Sequence, residues 1–208
     1  MQDSIHLSLI LGAALIATGS AGPATLAIAG ASMTSGRRFG LALAAGVTTG
    51  SVLWSAAAAF GLGALMMANA WLLEAMRYCG AAYLLYLAWK SARSAARPGR
   101  AAVQQTRYAS CKRAYLKGLT LHLTNPKAIL FFGSLYAVGI PAQAGAGSLA
   151  VIVAALAAQS CLVFHGYALL FSSPPMIRGY TRLRRLFEAV FSAAFAAAGI
   201  KILTARLQ

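Results

Sequence analysis

Apolar residues run along this chain in six long blocks, separated by short polar or basic segments. A helix crosses a bilayer with about 20 apolar residues, and every block approaches or exceeds that length. The first runs from Ile5 to Met33 and is interrupted by Gly22-Pro23. The second runs from Leu41 to Met67 and the third from Trp71 to Trp89. The fourth runs from Leu116 to Ile140, interrupted by Asn125-Pro126. The fifth runs from Leu149 to Phe171 and the sixth from Leu186 to Leu203. The pattern predicts an all-α integral membrane protein with six transmembrane helices in one domain over residues 1–208. The first block has only Asp3 and His6 as ionisable side chains before it. It lacks the basic start of a secretory signal and is expected to stay as the first span.

Composition agrees with the blocks. Sixty per cent of the residues are apolar and 10% are charged, against about 25% charged in soluble domains. There are 18 Lys+Arg, 3 Asp+Glu and a net charge of +15. In a soluble protein such a charge would suggest nucleic acid, but a mean hydropathy of +0.70 leaves no hydrated surface for it. Fourteen of the 18 basic residues fall on alternate connections. Arg37 and Arg38 follow the first block. Lys90, Arg93, Arg97, Arg100, Arg107, Lys112, Arg113 and Lys117 lie around the break between the third and fourth, which contains Pro98-Gly99. Arg178, Arg182, Arg184 and Arg185 precede the sixth. The connections around Asn69 and from Pro141 to Ser148 carry none. By the positive-inside rule the basic connections are cytoplasmic and both termini extracytoplasmic. Arg77, Lys201 and Arg206 are expected near the outer span ends. The basic clusters then serve topology and contact with anionic lipid, with no nucleic-acid partner.

The first and fourth blocks share a pattern. Gly22-Pro23 through Gly30 overlays Asn125-Pro126 through Gly133, with Pro and Gly coinciding at one offset of 103 residues, half the chain. Each half then holds three spans, over about residues 1–92 and 114–208, with a basic linker over 93–113. An odd number of spans per half inverts the second half, which predicts a 3+3 inverted repeat. Pro lacks an N–H and clashes with the carbonyl four residues back. In lipid the freed carbonyls need partners, so matched breaks point to a cavity or a substrate.

Polar residues inside the spans supply the candidate chemistry. Lys127 is the only basic residue well within a block and follows the second break directly. Intramembrane charge is costly and tends to mark function. The substrate-binding candidates are Gly22, Pro23, Asn125, Pro126 and Lys127. Lys127 would hold a carboxylate, and the carbonyls freed at the breaks an ammonium. Asn125 can both cap the helix starting at Pro126 and offer its amide to a ligand. Candidates for cavity lining or proton relay are Thr48, Ser51, His122, Gln159 and His165. Thr48, Thr49 and Ser51 could instead bond back to their own helix. Gly46 and Gly50, four residues apart, suit close helix packing. Trp71, Tyr83 and Trp89 suit interfacial anchoring. Glu74 is expected to pair with Arg77, and Glu188 to open the sixth helix on the basic side, where it suits the dipole.

Several classes are excluded. Cys79, Cys111 and Cys161 are far apart and form no CxxC, which removes a redox pair and a zinc site. No HExxH, GxSxG, Walker or Rossmann pattern occurs, so no enzyme activity, metal or cofactor is expected. A non-transporting membrane scaffold and a small-ion or metal permease remain as alternatives. The permease would want more Asp, Glu, His or Cys within the spans.

Four segments in order resemble the LysE/RhtB family of amino-acid exporters. They are Gly22-Pro23, the stretch Ser35 to Leu41, the stretch Gly80 to Lys90, and Asn125-Pro126-Lys127-Ala128. The resemblance spans nearly the whole chain. It implies secondary export of amino acids or related small metabolites through the bacterial cytoplasmic (inner) membrane, driven by an ion gradient and without ATP. The implied partners are the lipid bilayer and the small-molecule substrate. A homodimer is one option, for which the sequence gives no interface. The family's first proline motif usually reads Pro-Gly-Pro, and here its first position is Ala21. Many members carry an acid early in the second span, and here that position is Ser51.

Overall fold

The two interrupted blocks fold as pairs of half-helices and the other four as long helices. The computed structural model describes residues 7–20, 22–68, 70–96, 106–140 and 144–204. Side chains at 8–9, 62–77, 80, 137–139, 174, 176–177, 179–181, 184, 198 and 201–202 are outside that description. The expectations for Asp3, His6, Asn69, Trp71, the Glu74–Arg77 pair, Pro98-Gly99, Pro141, Arg184, Lys201 and Arg206, and the departure at Ala21, lie outside the described residues. Among those residues there are eight helices and no strand. They are α1 (Leu7–Gly19), α2 (Pro23–Thr34), α3 (Arg37–Ala68), α4 (Ala70–Ala96), α5 (Cys111–Leu123), α6 (Pro126–Gly139), α7 (Ala146–Leu170) and α8 (Pro174–Thr204).

Local chemistry sets the boundaries. Pro23 and Pro126 each open a half-helix at its first position, where the missing N–H costs nothing. Ser110 caps α5 by accepting the Arg113 N–H at 3.2 Å. Gly36 turns the chain from α2 into α3 at φ 95, a left-handed conformation that a side chain would strain. That turn is tied down by Ser35, whose hydroxyl accepts the Tyr108 N–H at 3.2 Å.

The basic segments are more helical than the hydropathy pattern suggests. Arg178, Arg182 and Arg185 are exposed on the first turns of α8, which starts at Pro174. Lys90 and Arg93 belong to α4, and Lys112, Arg113 and Lys117 to α5. Long basic side chains keep their heads in water while the backbone stays helical, so a helix continues past the point where the apolar run stops. Trp89 is exposed on α4, with the Arg93 guanidinium over its ring at 5.4 Å.

Two packed cores are stacked along the lengths of α3 and α7. One joins α2, the first half of α3 (Leu43, Ala44, Val47), Ala114 of α5 and the end of α7 (Phe164, Ala168). The other joins α1, Ala59 near the far end of α3, α4, α6, the start of α7 (Ile152, Leu156) and Phe195 of α8. Each interrupted block therefore contributes one half-helix to each core, and the breaks lie between them. Among the described residues, two helices are long and apolar enough to cross a membrane alone, over Arg37–Gly61 and Ala146–Leu170. The α1–α2 pair, bent by 51°, makes a third candidate span.

The expectation of tight packing at Gly46 and Gly50 is met by α5. A Cβ at Gly46 would overlap the Tyr115 carbonyl, and one at Gly118 the Leu43 carbonyl. One at Gly50 would come to 2.9 Å from His122. Gly118→Ala should therefore force two backbones apart and destabilise the protein by about 1–3 kcal/mol. Gly166→Ala in α7 meets nothing within 4 Å and should not destabilise it. Thermal melting of the detergent-purified protein checks this: the midpoint should fall for Gly118→Ala only.

Candidate functional site at the paired helix breaks

Both breaks repair their own backbone. At the first, the Thr25 hydroxyl accepts the Gly22 N–H at 2.8 Å and donates to the Gly22 carbonyl at 3.0 Å. The Gly22 carbonyl also accepts the Leu26 N–H at 2.9 Å, which begins the α2 ladder. At the second, Asn125 Oδ1 accepts the Lys127 N–H at 3.1 Å, and the Asn125 carbonyl accepts the Ala128 N–H at 2.9 Å. The Gly19 carbonyl is held by the Tyr167 hydroxyl and the His122 carbonyl by the Asn125 N–H. Of the carbonyls expected to be free for an ammonium, those of Gly19, Gly22, His122 and Asn125 already accept hydrogen bonds. Asn125 is 7% exposed, and its side-chain NH2 has no hydrogen bond among the described residues.

The breaks meet through Lys127. Its Nζ donates to the Ser20 hydroxyl, lies 5.5 Å from the centre of the Phe195 ring, and stands beside Gly22. Ser20, Gly22, Asn125 and Lys127 line two cavities at once. The smaller, about 40 Å³, continues between Thr25, Ser51, His122, Phe131, Phe132 and Phe164. It has room for about three waters at roughly 10–15 Å³ each. The larger, about 340 Å³, is lined beyond the shared residues by Pro23, Pro126, Tyr83, Tyr86, Lys90, Ser91, Glu188 and Phe195 among others. That volume lies within the range of small-molecule sites, about 300–1,000 Å³. The Lys127–Ser20 hydrogen bond stands where the two spaces adjoin.

Of the other sequence candidates, Ser51 and His122 come together. Ser51 Oγ is 3.0 Å from His122 Nε2, both residues are buried, and His122 Nδ1 is buried without a partner among the described residues. Along the apolar stretch Arg37–Gly61, Ser51 lies roughly 21 Å from one end and 15 Å from the other at about 1.5 Å per residue. The site is therefore near the middle of that span. Thr48 Oγ1 is buried without a partner outside both cavity walls, while Thr49 bonds back to the Ala45 carbonyl at 3.0 Å. Gln159 donates to the Leu11 carbonyl at 2.9 Å and ties α7 to α1, away from the cavities. His165 Nδ1–H donates to the Cys161 carbonyl of its own helix at 2.9 Å and lines neither cavity.

Glu188 is displaced from its expected place. It does not open a helix near the interface. Because α8 begins at Pro174, Glu188 sits well inside it, 5% exposed, on the wall of the larger cavity.

The family model described as LysE type translocator matches residues 15–206. The chain belongs to the LysE family of translocators. Among its relatives, the threonine efflux protein of Salmonella typhimurium is 30% identical over 92% of this chain and 94% of its own. The leucine efflux protein of Klebsiella pneumoniae is 32% identical, over 86% and 84%. The homoserine/homoserine lactone efflux protein of Salmonella typhimurium is 28% identical, over 84% of each. No solved structure matches the chain.

In this LysE translocator the breaks assemble a cation, an uncommitted amide and several hydroxyls beside a cavity of metabolite size. Ser20, Thr25 and Glu188 are site residues that sequence reasoning missed. Ser20 and Thr25 flank the Gly22-Pro23 pair as hydroxyls in an apolar run, which was a usable signal. The Ser51–His122 contact links the site to the α3–α5 packing. Ser51→Ala would leave both His122 nitrogens unpaired and should cost about 1–3 kcal/mol. In the Ser51→Ala background, His122→Phe should recover part of that loss, since removing both partners is cheaper than orphaning one. Thermal melts of the single and double variants read this coupling.

Proposed function

We propose that this chain is a secondary exporter that moves amino acids or closely related small metabolites out of the bacterial cytoplasm. Its place is the inner membrane, and an ion gradient drives it. The observation that carries this reading is the meeting of two proline breaks, 103 residues apart, at one lysine bordering two cavities. The names of its relatives, efflux proteins for threonine, leucine and homoserine, point to the same substrate class.

In this reading there are six spans: α1–α2, α3, α4, α5–α6, α7 and α8. They form a 3+3 inverted repeat in one translocator domain, with halves over about 1–92 and 114–208 joined by the basic segment 93–113. The basic connections lie in the cytoplasm and both termini outside. Substrate binds near Gly22, Pro23, Asn125, Pro126 and Lys127, with its carboxylate on the Lys127 ammonium and the Asn125 amide. Release of Lys127 from Ser20 onto the carboxylate joins the two cavities around the substrate. Relative movement of the two repeats then gives access alternately from either side.

The test is efflux of labelled amino acids from preloaded cells expressing the chain. Threonine, leucine or homoserine should leave faster than from cells with an empty vector, and dissipating the pH gradient should slow it. Lys127→Ala should reduce the rate at least tenfold at unchanged protein level. Pro126→Ala, which lets α5 and α6 run together, should reduce it similarly. Efflux no faster than the control across the panel would sink the export reading. Efflux indifferent to both substitutions would remove the site from the breaks.

A further inference from the structure

Glu188 occupies an expensive position. A carboxylate inside a helical bundle loses its hydration, and such a group is ordinarily paired or functional. Glu188 is 5% exposed and makes no hydrogen bond or ion pair with any described residue. It lines the 340 Å³ cavity whose other walls carry Lys127 and Lys90. The remaining titratable groups facing that cavity are the phenols of Tyr83 and Tyr86 on α4. Lys127 does not meet Glu188 in an ion pair, because its ammonium is engaged by the Ser20 hydroxyl and the face of Phe195. An anion and a cation thus border one space without touching. The carbonyls of Gly19, Gly22, His122 and Asn125 at the breaks, other possible hosts for an ammonium, already accept hydrogen bonds.

We propose that Glu188 binds the substrate ammonium while Lys127 binds its carboxylate, so that the cavity selects zwitterionic α-amino acids over simple amines and simple carboxylates. This rests on the export reading and sharpens it. A zwitterion supplies both missing partners at once. An amine would leave Lys127 without its carboxylate, and a deaminated acid would leave Glu188 buried and unpaired. Each half-ligand is therefore rejected by a desolvated charge that it fails to neutralise.

The experiment uses the full chain in proteoliposomes, with threonine counterflow at equal pH on both sides. For the wild type, the deaminated analogue of threonine and the corresponding amine should each compete at least tenfold more weakly than threonine. Glu188→Gln should raise the half-saturating threonine concentration at least tenfold and shrink the preference for threonine over the deaminated acid below threefold. Glu188→Asp, which keeps the charge, should retain most of that preference, and it serves if Glu188→Gln does not fold. A deaminated acid that competes as well as threonine in the wild type overturns the proposal without any variant. So does Glu188→Gln with unchanged half-saturation and selectivity. If that variant loses only the response to an imposed pH gradient, Glu188 carries a proton instead, and the ammonium assignment is wrong. Absence of counterflow for every amino acid in the wild type overturns the export reading together with this proposal, whereas the variant results overturn this proposal alone.

Discussion

A helix can be interrupted inside a bilayer only if the backbone groups it releases find partners within the protein. The architecture around the site follows from that constraint. Thr25 closes the loose end at Gly22, and Asn125 closes the one before Lys127. Tyr167 reaches across from α7 to the Gly19 carbonyl. With those demands met locally, the side chains of Lys127, His122 and Glu188 are left with bonding capacity of their own. The backbone is quiet at the breaks, and the chemistry rests on a few side chains around them.

The same constraint explains the division of the core. The continuous helices α3 and α7 run through both cores, whereas each interrupted block gives one half-helix to each. Here α1 and α6 pack with α4 and α8, while α2 and α5 pack with the opposite ends of α3 and α7. The polar groups collect at the level where one core gives way to the other, beside Phe131 and Phe132 of one core and Phe164 of the other. The hydroxyl of Ser51, the imidazole of His122 and the amide of Asn125 are all buried at that level.

Much of this was legible in the chain itself. The apolar blocks located the helices, since hydropathy over about 20 residues is a strong signal. The prolines located both breaks, because a missing N–H acts on its own helix and needs no tertiary information. Lys127 stood out for its charge and Asn125 for its place before a proline. Glu188 was misread for a physical reason. Arg178, Arg182 and Arg185 look like a loop to a hydropathy reading, but their spacing of three and four residues is that of one helix face. Reading that periodicity would have moved the start of α8 to Pro174 and Glu188 into its interior. His165 and Gln159 show the reverse. Their polarity marked them, yet each is occupied by a backbone carbonyl outside the cavities, and only packing reveals which carbonyl. The division of space by Lys127 and Ser20 depends on two residues 107 positions apart, which no local pattern encodes.

The glycine contacts of α3 with α5 have a consequence for traffic. At Gly46 and Gly118 the two backbones lie against each other with no side chain between them. Beside Gly46 and Gly118 that seam leaves no room for a solute. The larger cavity is lined instead by Tyr83, Tyr86 and Lys90 of α4 and by Glu188 and Phe195 of α8, among others. The room beside Lys127 is thus walled by side chains, and the glycine seam adds none to it. The interior is lopsided: two glycines fix where it has no space, and the side chains of α4 and α8 frame where it does.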